Sequence, residues 1–253
     1  MTSVIEKVFA NSWKNYKKSW KNIFIISATF IIAIALVTLL SISIFGINTI
    51  RIYYNNIISS TSSNTQWNAM KDMLTNLGGF FALLITLIIV VNAYFTSFMS
   101  SLAAKPKQSL SKIFHMGNKK YLNLLGAEIL ITLIMSLAIF IAAILIVGSA
   151  FVPILFPIVT VLLIIGLIFI KLKLTFVFPE IYMKNKNASD SIKYSWKETR
   201  KSILTIFAVF VIIAFISFVF VAFPPWIYSI INIFFLWPFT ILCMFELYRQ
   251  VKK

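Results

Sequence analysis

Six stretches of about 20 almost unbroken apolar residues run through this chain, near 23–45, 80–103, 122–147, 151–176, 203–223 and 226–247. Each is long enough to cross a hydrocarbon core about 30 Å thick as a helix. Lipid offers no water to pair with backbone N–H and C=O groups, so a spanning segment must satisfy its own, and a helix does so. The expected fold is therefore all-α, a polytopic membrane bundle of six transmembrane helices. With 60% hydrophobic and 12% charged residues, the chain lies far from the roughly 45–50% apolar and 25% charged make-up of soluble domains. We read residues 1–253 as a single integral membrane domain.

The joints set the pairing. Spans three and four are linked by Gly148-Ser149-Ala150 alone, and spans five and six by Pro224-Pro225. Such short links force antiparallel neighbours, so three hairpins are expected. The first has the longest link, 46–79, rich in Asn, Ser and Thr. Of the 23 Lys and Arg residues, 21 fall on one side of this topology, leaving Arg51 and Lys71 on the other. The positive-inside rule places the rich side, with both termini, in the cytoplasm.

A repeated segment precedes the runs. Residues 12–24 and 195–207, aligned without gaps, agree at seven of 13 columns, where chance gives about one, and a repeat of this kind constrains the whole fold. Ser12, Trp13, Lys14, Lys18, Ser19, Ile23 and Phe24 match Ser195, Trp196, Lys197, Lys201, Ser202, Ile206 and Phe207. At 100° per residue, Phe9, Trp13, Tyr16, Trp20 and Phe24 form one stripe beside Lys7, Lys14, Lys17, Lys18 and Lys21. The later copy sets Ile192, Trp196, Ile203 and Phe207 against Lys193, Lys197, Arg200 and Lys201. A weaker copy, offset by 101, places Leu110, Phe114, Tyr121, Asn123 and Leu125 beside Lys112, Lys119 and Lys120, with Gly117 where Tyr16 stands. Each reads as a basic amphipathic interfacial helix before a hairpin, with rings at the acyl boundary and ammonium groups at the phosphates. The expected repeat units are about 1–103, 104–176 and 177–253. The net charge of +16, placed beside the runs, points to anionic headgroups rather than nucleic acid.

Few groups suit chemistry. Glu128 lies within a span, roughly 9 Å from its end at 1.5 Å per residue, where an ionisable group marks a candidate site. Lys171 sits at similar depth on the next span, so an ion pair fixing the register of the two arms is expected, with Lys173 snorkelling to the headgroups. Glu246 is expected to pair with Arg249 three residues on. Asn92 and Asn232 read as interhelical hydrogen-bond donors, and Pro153, Pro157 and Pro238 as bends. Asp190-Ser191 reads as a helix cap, and the sequon Asn187-Ala188-Ser189 as chance. Lone Cys243 supports no disulfide or thiol metal site, and His115 lacks metal partners. No phosphate loop, zinc spacing or nucleophile elbow is present. No cofactor is expected.

Phe178-Pro179-Glu180-Ile181-Tyr182, a short polar turn, and then Ala188 through Lys197 with its Ser195-Trp196 pair resemble part of a known family. It is the six-span membrane domain attached to some bacterial glycerophosphodiester phosphodiesterases, with free-standing prokaryotic relatives. There a span ends in Phe/Tyr-x-x-Pro, an acidic residue follows, and a Ser-Trp helix leads into the next span. The resemblance implies a membrane architecture, without the soluble barrel that carries that family's catalysis.

The function expected is that of a non-catalytic accessory, scaffold or lipid-interacting subunit of the cytoplasmic membrane, beside a protein partner or a second copy of the chain. The alternative is a permease subunit served by a separate ATPase, and a third reading is a membrane-embedded lipid enzyme.

Overall fold

The computed structural model describes residues 2–45, 55, 63–149 and 155–252. Among these, the order is α1 (Thr2–Phe45), α2 (Ser63–Ala104), α3 (Leu110–Ser149), α4 (Leu155–Lys173), α5 (Val177–Lys184), α6 (Ala188–Glu198), a 3₁₀ turn (Thr199–Lys201), α7 (Ile203–Val221), α8 (Pro225–Ile231), a π-turn (Asn232–Leu236) and α9 (Trp237–Val251). Six stretches are long and apolar enough to cross a membrane: Val4–Ser41, Leu84–Ala104, Leu110–Ser149, Phe156–Lys184, Ile203–Val221 and Pro225–Val251. Arg51, Ala150 and Pro153 lie outside the described residues.

α1 runs unbroken for 44 residues, about 66 Å at 1.5 Å per residue. Neither Gly nor Pro occurs between Thr2 and Phe45, so nothing interrupts the ladder where the basic stripe meets the apolar run. α3 is also continuous, over 40 residues, although it contains Gly117, Gly126 and Gly148. Only the last basic segment is separate, cut from its span by the 3₁₀ turn. Pro157 does not bend a span. It falls in the first turn of α4, where a missing N–H costs nothing.

The chain divides into two compact units, Ser27–Phe95 and the remainder, Met1–Ile26 with Thr96–Lys253. In Ser27–Phe95, the Phe30 and Phe95 rings lie tilted against each other with centroids 4.5 Å apart. Thr38 and Ser41 donate to the carbonyls of Ile34 and Val37, at 2.9 and 2.8 Å. Hydroxyls paired to their own helix need no water.

The larger unit has its core at one end, which carries most of the lysines. Val8, Leu172, Phe176, Ile206, Val209, Phe239, Cys243, Leu247 and Tyr248 pack together there. α3 packs against α4, α5 and α6; α4 against α7; and α9 against α5 and α7. Beyond this end the spans turn apolar outward. Leu133, Leu137 and Phe140 on α3, and Phe215 and Phe218 on α7, are all at least 60% exposed. That is the pattern of a helix solvated by lipid.

Candidate functional site at the lysine-rich end

Each basic segment meets an apolar helix through an aromatic pair at the same column. Trp13 meets Phe239 of α9 edge-on, with centroids 6.3 Å apart. Phe114 meets Phe98 of α2 at 4.4 Å, and Trp196 meets Phe169 of α4 at 6.4 Å. All three pairs are edge-to-face, the arrangement the ring quadrupole favours. The same columns are buried in each segment: Ser12, Ile113 and Ser195 at 0%, and Ile23, Leu124 and Ile206 at 1% or less. Trp13 and Trp196 are each 44% exposed. Gly117 is small because a Cβ there would overlap the Phe98 ring.

The segment on α9 is aromatic throughout. Trp13 and Tyr16 stack at 5.7 Å, and both meet Phe235 edge-on. Pro238 has no N–H to offer the carbonyl of Phe234, and the Tyr16 hydroxyl donates to that oxygen at 3.0 Å instead. The π-turn and this outside donor accommodate the proline. Beside it, Trp20, Phe24, Ile230 and Phe234 help to line an apolar cavity of about 530 Å³.

The segment on α4 is polar. Ser195 donates to the carbonyl of Lys173 at 2.7 Å and accepts from the N–H of Phe176 at 3.0 Å, satisfying both sides of the frayed end of α4. Lys173 does not snorkel. It is 5% exposed, its Nζ donates to the carbonyl of Trp196 at 3.3 Å, and it lies 5.3 Å from the Phe169 centroid and 6.0 Å from that of Trp196. Around it opens a cavity of about 540 Å³, lined also by Lys193, Lys197, Arg200 and Ile203.

Two carboxylates tie this end together. Glu180, fully buried, accepts from Tyr248 at 2.5 Å and from Lys252 at 2.9 Å, with Lys186 at 3.2 Å from its other oxygen. Lys186 and Lys252 both lie over the Tyr194 ring. Burial alone would lower the pKa of Lys252, but its bonds to Tyr248 and Glu180 and the Glu180 charge outweigh that and raise it. This tie contributes fully below the free-lysine value of about 10.4 and is lost as pH rises through the higher folded one. Glu246 pairs with Arg249 at 3.0 Å, as expected, and accepts from Asn11 and Gln250 at 2.9 and 2.8 Å. Arg249 also donates to the last carbonyls of α2, those of Ala103 and Ala104.

Among the expected interface residues, Lys14, Lys18, Trp20, Lys119, Lys197, Arg200 and Lys201 are exposed, and Phe114 and Tyr121 half-buried. Lys120 departs from expectation. It donates to the carbonyls of Ile181 and Tyr182 at 3.0 and 2.8 Å, capping the C-terminus of α5 rather than reaching outward. The expected Glu128–Lys171 pair does not form. Glu128 is half-buried and hydrogen-bonds Thr96, while Lys171 is exposed. The ion pairs among the described residues are those of Glu180 and Glu246. Asn92 is half-buried. The cap of α6 is Asn187, whose Oδ1 accepts from the Asp190 N–H at 2.8 Å; Asp190 supplies only first-turn charge. Sequence reasoning missed the Glu180 cluster, for which the one signal was its place after Pro179 in the family-like stretch. Among the described residues no three His, Cys, Asp or Glu side chains gather to hold a metal.

An all-helical chain with six helices able to span a bilayer has the make-up of a multi-pass membrane protein. The chain belongs to the family described as Domain of unknown function (DUF7847), which matches it over residues 23–245. No curated protein and no solved structure matches it.

Proposed function

We propose that this protein is a non-catalytic, lipid-interacting accessory or scaffold subunit of the cytoplasmic membrane, with both termini in the cytoplasm. It is built from three copies of one unit, a basic amphipathic segment followed by a hairpin. The observation that carries this reading is the recurrence of one seat. An aromatic ring at the same column meets a phenylalanine on α9, α2 and α4 in turn, and Lys14, Lys18, Lys119, Lys197 and Lys201 stay exposed beside it. Lysines and tryptophans so placed sit at headgroup depth. The likeness of residues 178–197 to the membrane domain of the phosphodiesterases agrees with an architectural role. The permease reading has less support, because the charged cavity of about 540 Å³ is lined by Lys173, Lys193, Lys197 and Arg200 rather than by Glu128.

The test is extraction of the full chain from its native membrane in polymer-bounded discs, without detergent. Enrichment of anionic lipid over the bulk membrane, with a stoichiometric protein partner, is the expected result. Lipid matching the bulk, around a solitary chain, would sink the proposal. Labelling of Ser60→Cys from outside and Asp190→Cys from inside tests orientation, against a low background because native Cys243 is buried.

A further inference from the structure

Lys173 stands out among the buried groups. It comes four residues after the phenylalanine that seats the segment on α4. The same place after Phe98 holds Leu102, and after Phe239 it holds Cys243; both are buried at 0%. The architecture is thus satisfied twice by an uncharged side chain, and packing does not require an ammonium at the third place. A buried ammonium is costly unless an anion pairs with it. Among the described residues no carboxylate comes within ion-pair distance of it. Its partners are one carbonyl and two ring faces, and the charge of Arg200 acts against it.

The cavity onto which Lys173 opens adds Lys193, Lys197 and Arg200, and no acidic residue lines it. Four cations around about 540 Å³ call for a compact, multiply coordinating anion, and a phosphate group offers the acceptors that Lys and Arg bind best. Its other wall is apolar. Phe169 and Ile203 lead from the cations along α4 and α7, where Ile165, Phe207 and Leu204 are 57%, 45% and 68% exposed. A free phosphate has no use for such a wall, whereas acyl chains do.

We infer that this cavity is a specific site for one anionic phospholipid, its phosphate held by Lys173, Arg200, Lys193 and Lys197 and its chains laid along α4 and α7. This deepens the lipid-interacting reading above and rests on it.

The test is native mass spectrometry of the full chain in detergent, titrated separately with phosphatidylglycerol, phosphatidylcholine and inorganic phosphate. The wild type is expected to retain one phosphatidylglycerol. Lys173→Leu is expected to bind it at least about tenfold more weakly, the loss of one charge-assisted contact. Because Leu102 fills the equivalent place, this variant should keep its helix content and its Tm. Arg200→Gln, at an exposed position, should weaken binding by a similar factor. Lys14→Gln/Lys18→Gln, equally basic and exposed on α1, should leave binding unchanged. Unchanged binding by both Lys173→Leu and Arg200→Gln would overturn the site. Equal weakening by the α1 pair would also overturn it, while leaving the broader attraction to anionic lipid intact. Failure of the wild type to prefer phosphatidylglycerol over phosphatidylcholine would remove both. Displacement of the lipid by millimolar inorganic phosphate would overturn the lipid assignment in favour of a soluble phosphate compound.

Discussion

Residues 12–24 and 195–207 share seven letters and agree in burial at ten of 13 columns, yet one lies inside a 44-residue helix and the other is cut by a 3₁₀ turn. The difference starts at the columns where they disagree. Tyr16 in the first is Thr199 in the second. The tyrosine ring reaches across to Phe235 and the Phe234 carbonyl, tying the segment to a neighbour without disturbing its own ladder. The threonine is fully buried, and its Oγ1 donates to the Ser195 carbonyl of its own segment at 2.8 Å, so it makes no tie of the kind Tyr16 makes to a neighbouring helix. On the far side of each seat, Cys243 faces the first segment and Lys173 the second. Shared letters therefore set the position of the segment, while the unshared ones decide whether its seat is sealed with aromatic rings or left as a charged cavity.

Five substitutions sharpen that contrast, each read as unfolding free energy in mixed micelles. Glu180→Ala removes the carboxylate that anchors Lys186 and Lys252 beside the polar segment; leaving two half-buried lysines and the buried Tyr248 hydroxyl without their partner should cost about 2–4 kcal/mol. A loss below about 1 kcal/mol would show that the cluster is wet and exchangeable. Gly117→Leu drives a side chain into Phe98 and should cost about 1–3 kcal/mol by overpacking, whereas Gly126→Ala, with its nearest neighbour at 3.5 Å, should stabilise by up to about 1 kcal/mol, the helix-propensity gain of Ala over Gly. Tyr16→Phe strips the donor from the Phe234 carbonyl and should cost about 1–2 kcal/mol. If it were neutral, the π-turn would be satisfying that oxygen unaided. Lys14→Gln should change stability by less than about 0.5 kcal/mol; a larger loss would show that the exposed face has a protein contact.

The six spans and the lysine-rich end were legible because they depend on runs and counts. Run length reports the bilayer, and charge asymmetry survives any error in boundaries. The seats were not legible. Phe98, Phe169 and Phe239 are three of 25 phenylalanines in runs whose other faces are equally apolar, so no periodicity marks the buried face. Lys120 and Lys173 were assigned to the headgroups because a lysine at the end of a span has two outlets, water or a nearby helix C-terminus. Only the tertiary position of the Ile181, Tyr182 and Trp196 carbonyls decides between them. Glu246–Arg249 was legible as a local spacing, and Asn11, 235 residues away, was not.

That last contact bears on how the chain is made. Translation delivers α1 first and α9 last. Phe114 and Trp196 emerge after their seats on α2 and α4 already exist, so each can dock at once. Trp13, Tyr16 and Asn11 instead wait for more than 200 residues of chain before Phe235, Phe239 and Glu246 follow. An aromatic face is then without its seat over that interval. Because the three seats follow one another in a cycle, rejoining the ends and reopening the chain elsewhere would hand this wait to another segment without abolishing it.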